Sequence, residues 1–86
     1  MNKQNFLEFE VSKAIKDGFT NQFFFRDGLL TYGINPVLTF LPEHVIKDRR
    51  PCINSDNVIY RITTKNKIKG FLIISRYEEE EAIPFA

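Results

Sequence analysis

Two hydrophobic periods alternate along this chain. Between residues 5 and 17, apolar side chains recur at Leu7, Val11, Ala14 and Ile15. That is the spacing of one stripe on a helix, and Phe6 widens it. Asn5 followed three positions later by Glu8 has the form of a capping box. Glu8 and Glu10 sit near the positive end of the helix, Lys13 and Lys16 near the negative end. Gly18, after Asp17, supplies a left-handed stop. A helix of this kind needs an apolar surface to lie on.

The next stretch, QFFFRDGLLTY over residues 22–32, changes period. Asp27-Gly28 between two apolar runs predicts a hairpin with a two-residue type I′ turn. Arg26 then pairs with Leu29, Phe25 with Leu30, Phe24 with Thr31 and Phe23 with Tyr32. Because side chains alternate across a strand, Phe23, Phe25, Leu30 and Tyr32 share the core face. Phe24, Arg26, Leu29 and Thr31 share the other, and Phe24 is the aromatic expected to be exposed. Gly33 ends the pair. Residues 34–46 are irregular in pattern, with a single helical turn at Pro42-Glu43-His44. Val45 and Ile46 open a short third strand running towards Lys47. Residues 47–57 are polar and read as the longest loop. Val58 to Thr64 alternates again, Asn66 offers a left-handed position in a tight turn, and Ile68 to Tyr77 forms a last strand. Phe71-Leu72-Ile73-Ile74 is apolar on both faces, which predicts a central strand. Gly70 marks a bulge or a close backbone approach.

Together these elements predict an α+β domain. One N-terminal amphipathic helix packs on a four- to five-stranded, mainly antiparallel sheet. Residues 1–77 form the domain, and residues 78–86 a flexible acidic tail. With 86 residues, a chain buries only about 60–65% of its unfolded surface, so its core must be efficient. Nine phenylalanines and three tyrosines supply that core.

Charge changes the picture only locally. The net value of +1 points to neither nucleic acid nor membrane. However, four of the eleven acids are Glu78, Glu79, Glu80 and Glu81, so the remaining seven face twelve basic residues. The body is mildly basic and the tail acidic. The tail is either solvated or folded back on the basic surface. The single cysteine, Cys52, excludes an internal disulfide and suits a reducing compartment. The apolar run Phe6-Leu7 is stopped by Glu8, unlike a signal peptide, and no run approaches the ~20 apolar residues of a membrane helix. The expected location is the cytoplasm.

The order of several motifs resembles a family of short, mostly bacterial proteins. The matching elements are Ala14-Ile15-Lys16-Asp17-Gly18-Phe19-Thr20 before a Phe-rich strand, then Asp27-Gly28-Leu29 and Pro42-Glu43-His44-Val45-Ile46. Ser55-Asp56-Asn57-Val58-Ile59-Tyr60 and Lys69-Gly70-Phe71-Leu72-Ile73 follow. The similarity spans residues 13–77. Such proteins often carry the label phosphoribosylpyrophosphate synthetase, although they are far too short to be that enzyme. Two segments depart from the family pattern. Arg49-Arg50-Pro51-Cys52 replaces an expected Arg-Phe and Gly, and no glycine follows Tyr77. The resemblance implies a small uncharacterised α+β domain. The residues themselves do not supply synthetase chemistry, because none of the four glycines sits in a loop between a strand and a helix, where a phosphate site needs one.

Catalytic groups are sparse. His44 and Cys52 are the only soft metal ligands, fewer than a zinc site takes, so neither metal nor cofactor is expected. Ser55, His44 and Asp48 or Asp56 provide the residue types of a triad but no distinctive spacing. Cys52 beside Arg49 and Arg50 is either an activated thiol or an inert one. Two binding readings stand out. Surplus apolar residues, Phe24, Leu29, Phe40, Ile83 and Phe85, point to contact with a protein partner or a second copy, with Phe24, Phe40 and Phe85 as interface candidates. Alternatively Arg49, Arg50, Arg61, Lys65, Lys67 and Lys69, with Tyr60 as a stacking surface, form a patch for anions or single-stranded nucleic acid.

Overall fold

A computed structural model describes residues 5–53 and 55–82. Helix α1 (Asn5–Lys16) is followed by strands β1 (Asn21–Arg26), β2 (Leu29–Tyr32) and β3 (Thr39–Phe40). A 3₁₀ turn (Pro42–His44) leads to β4 (Ile46–Pro51), β5 (Asn57–Thr63), β6 (Lys69–Ser75) and helix α2 (Arg76–Ala82). The class is α+β, as the sequence predicts. The sheet, however, has six strands in the order β3-β2-β1-β6-β5-β4, and it is mixed: β1 runs parallel to β6.

Local chemistry explains the elements. α1 ends in a Schellman motif: Phe19 N–H bonds Ala14 O at 2.9 Å and Gly18 N–H bonds Ile15 O at 3.0 Å. Gly18 takes the required positive φ, 99°. The β1–β2 register is the predicted one, Phe23↔Tyr32 to Arg26↔Leu29. Asp27 (φ 51°) and Gly28 (φ 80°) make the expected turn. In the β5–β6 turn, Lys67 rather than Asn66 is left-handed, at φ 65°. Thr64 closes that loop in both directions, since Lys67 N–H bonds Thr64 O and Thr64 N–H bonds Ile68 O. This is a type I turn followed by a bulge, which places the left-handed residue last.

The mixed topology forces the sheet to roll. β3 and β4 lie at opposite edges, yet only Leu41–Val45 joins them. Six flat strands would hold those edges about 24 Å apart. The link spans at most about 20–22 Å when fully extended, and it contains the 3₁₀ turn. The inner face therefore closes on itself, burying Phe23, Leu30, Val58, Tyr60, Ile62, Leu72 and Ile74 with Val45. Phe25, Tyr32, Phe40 and Ile68 pack at its margin, and Phe40 meets Phe23 edge-on at 6.0 Å. α1 lies on the outer face over β5 and β6. There Leu7, Val11 and Ile73 pack against Cys52, Ile59 and Phe71.

Three segments differ from the sequence reading for identifiable reasons. β4 occupies part of the stretch read as the 47–57 loop, because an edge strand tolerates charge on both faces and a proline at its end. β3 is too short, at two residues, to show a period. The last strand ends at Ser75 rather than Tyr77. Ser75 caps α2 instead: Glu78 N–H donates to Ser75 Oγ at 3.0 Å, and Ser75 N–H donates to Glu78 Oε1 at 3.2 Å. That is a capping box. Residues 83–86 lie outside the described residues, and with them Ile83 and Phe85.

Candidate functional site

Among the described residues, the outer face is only half covered. α1 lies across β5 and β6, and a helix about 10 Å wide spans about two strand spacings. Beyond it the outer side chains are Gln22, Phe24 and Arg26 on β1, with Leu29 and Thr31 on β2. Phe24 is 43% exposed. Arg26 is exposed and has no hydrogen-bond or ion-pair partner among the described residues. The loop after β2 adds Ile34, 74% exposed, and Val37, 89% exposed. Phe24, Arg26, Thr31, Tyr32, Gly33 and Pro36 line a shallow cavity of ≈160 Å³. Gly33 N–H holds Gln22 O at 2.8 Å, and the Phe24 ring lies against Gly33. An apolar surface beside a cation that is unpaired among the described residues is suited to a protein partner.

The basic residues named from the sequence do not share one surface. Arg49 and Arg50 are neighbours on β4 and therefore point to opposite faces. Arg50 pairs with Asp48 at 2.9 Å on the exposed outer side. Arg49 lies opposite Tyr60 and donates to Glu79 through Nε at 2.7 Å and Nη2 at 3.0 Å. The buried Tyr60 hydroxyl donates to the same carboxylate. The Arg49 bond holds the Glu79 carboxyl below its ordinary range, and burial with the Glu79 hydrogen bond pushes Tyr60 up to about 12. Tyr60 is thus part of a clasp that fastens α2 over the inner face.

Arg61 is buried at 6% exposure beneath the C-terminal end of α1. Its Nη1 donates to Asp17 at 2.9 Å, and its Nη2 has no partner among the described residues. The Phe19 ring holds Arg61 at 5.5 Å and Lys69 at 4.5 Å. Lys65 and Lys67 are exposed on the adjoining turn. Phe19 was not singled out by its spacing; it reaches the cluster because the Schellman turn folds it back.

Cys52 is buried beside Ile59, and burial raises its thiol pKa. This disfavours the thiolate. Ser55 Oγ accepts from Asn57 N–H and Nδ2, so it closes a local turn. Of the interface candidates among the described residues, Phe24 is left on open surface, while Phe40 is partly buried against the core. No helix among the described residues is long and apolar enough to cross a membrane. The chain matches no family model, and neither curated proteins nor solved structures show a significant similarity to it.

Proposed function

We propose that this domain acts by protein–protein contact through the uncovered outer wall of β1 and β2. The observation that carries this reading is Phe24. It sits on a regular strand, its exposure follows from the register, and no helix among the described residues covers it. Leu29, Ile34 and Val37 extend the apolar surface, and Arg26 gives it a polar anchor. Central aromatics beside an arginine are the composition of binding hot spots. A photoreactive phenylalanine analogue at position 24, irradiated in cells, tests it. The expected result is a discrete protein adduct that a control at exposed Lys65 lacks. Absence of any adduct at position 24 overturns the reading.

A second reading has its own support, in the Lys69–Phe19–Arg61 stack. α1 brings Lys13 and Lys16 in its last turn towards the end that carries Lys69, whose ammonium lies beside Gly18. This surface suits an anion or a single-stranded nucleic acid, with Phe19 as the ring. Oligonucleotide binding that weakens steeply with salt and is lost in Lys69→Glu supports it. Binding that ignores salt removes it.

A further inference from the structure

We infer that the cavity between the β4–β5 connection and the start of α2 binds a small zwitterion, an amino acid or dipeptide with an apolar side chain. This site lies apart from the β1–β2 wall and does not depend on the contact reading.

The cavity measures ≈640 Å³ and is lined by Pro51, Cys52, Ile53, Ser55, Asp56 and Arg76. Small-molecule sites occupy about 300–1,000 Å³. Backbone bonds fix both walls: Cys52 N–H holds Asn57 O at 3.1 Å, and Arg76 N–H holds Asp56 O at 2.6 Å. Asp56 and Arg76 thus carry opposite charges on touching backbones, an arrangement that favours an ion pair. They form none. Both are exposed, and neither side chain has an ion-pair or hydrogen-bond partner among the described residues. Each lines the cavity instead.

The lining selects a ligand class. Burial raises the Cys52 thiol and Glu10 adds to the rise, while Arg76 opposes it. The thiol on the cavity floor is therefore neutral, and the Arg76 charge is felt there. An anion would meet Arg76 but also Asp56, with Glu10 acting on the same floor. A cation would meet Asp56 but also Arg76. A ligand with both charges finds a partner for each, its carboxylate on the guanidinium and its ammonium on Asp56. Ser55 Oγ accepts from Asn57 N–H and Nδ2, which leaves its own proton to donate to a carboxylate. Pro51, Ile53 and the neutral thiol give an apolar side chain its surface. Two solvent-exposed charge pairs bind weakly, so a dissociation constant of about 1 mM is expected.

An amide NMR titration with leucine is the first measurement. The amides of Cys52, Ile53, Ser55, Asp56 and Arg76 should shift and saturate. Leucinamide, which lacks the carboxylate, and isocaproate, which lacks the amine, should each bind at least about fivefold more weakly. Arg76→Gln should weaken leucine by that factor without weakening leucinamide. Asp56→Asn should weaken leucine without weakening isocaproate. Both substitutions fall on exposed side chains, and the remaining amide shifts check the fold. Because the ligand ties the β4–β5 connection to α2, amide exchange across 76–82 should slow at saturation. Leucylglycine run beside leucine separates the two sources, the tighter of the two naming the ligand. Four results overturn the inference: no shifts up to about 20 mM ligand, equal affinity for leucine and its two one-charge analogues, leucine binding that survives both substitutions, or unchanged exchange in α2.

Discussion

Gly70 and Phe23 share one space on the inner face. A Cβ at position 70 would lie 2.6 Å from the Phe23 ring and would also strike the Asn21 carbonyl oxygen. Asn21 pairs with Gly70 in the parallel β1–β6 ladder, and Asn21 Nδ2 donates to Lys69 O at 3.2 Å. The absence of a side chain at 70 thus lets the two halves of the sheet join. Gly70→Ala must displace either the ring or the backbone. A loss of about 2–3 kcal/mol is expected, read from urea unfolding. A change under about 0.5 kcal/mol would show that the junction has slack.

The clasp on α2 should make stability pH-dependent at both ends. Glu79 titrates below its ordinary value because Arg49, and then Tyr60, hydrogen-bond the carboxylate. A depressed folded value contributes stability above the unfolded pKa of about 4.5, lost as pH falls through the folded value. Tyr60 is raised to about 12 by burial and by Glu79. Its contribution is complete below about 10 and disappears as pH rises from about 10 to 12. Glu79→Gln should flatten the acid limb, and Tyr60→Phe the alkaline one. Thermal midpoints at closely spaced pH values measure both. An acid limb unchanged in Glu79→Gln would assign it to other carboxylates.

How much of this was legible in the sequence depends on how local each feature is. The β1–β2 hairpin was readable to the residue, because Asp27-Gly28 fixes the turn and two-fold alternation fixes the faces. Phe24 as an exposed ring follows from the same count. The β1–β6 pairing joins residues nearly fifty positions apart, and its traces were Gly70 and the two-sided apolar run Phe71-Leu72-Ile73-Ile74, which marks a central strand but not its partner. β4 carries Lys47, Asp48, Arg49 and Arg50 at an edge, so no apolar period announces it. Neighbours that look like one basic patch in sequence diverge once the segment becomes a strand. α2 is the instructive case. Ser75-x-x-Glu78 is the same capping pattern that marked α1, but it follows a strong β run that masks it.

Arg61 and Asp17 should respond unequally to mutation. The guanidinium is buried at 6% side-chain exposure, whereas Asp17 is 46% exposed. Removing the acid strands a buried cation; removing the cation leaves a carboxylate that water can solvate. Asp17→Ala should cost about 1–2 kcal/mol, the figure kept low because Asp17 is half in solvent. Arg61→Met should lie within about 1 kcal/mol of wild type. Chemical denaturation of the two variants side by side measures the asymmetry. Equal losses would mean that Arg61 acts mainly through its contact with Phe19.

Ser75 offers the sharpest test of how α2 is held. Among the described residues this helix is fastened at its start by the Ser75–Glu78 capping box and by Arg76 N–H donating to Asp56 O at 2.6 Å, and one turn later by the Arg49–Glu79–Tyr60 clasp. At seven residues, the helix is too short to persist on propensity alone. Ser75→Ala removes an acceptor for the Glu78 amide and a partner for the Glu78 carboxylate, at about 1 kcal/mol. Because α2 is peripheral, the loss should appear as local opening. Amide exchange across 76–82 should accelerate about fivefold, the rate equivalent of that energy, while the β5 and β6 amides keep their protection. Acceleration that spreads equally through the sheet would show that α2 and the rolled core unfold as one unit. No acceleration at all would mean that the clasp and the Arg76–Asp56 bond suffice without the cap.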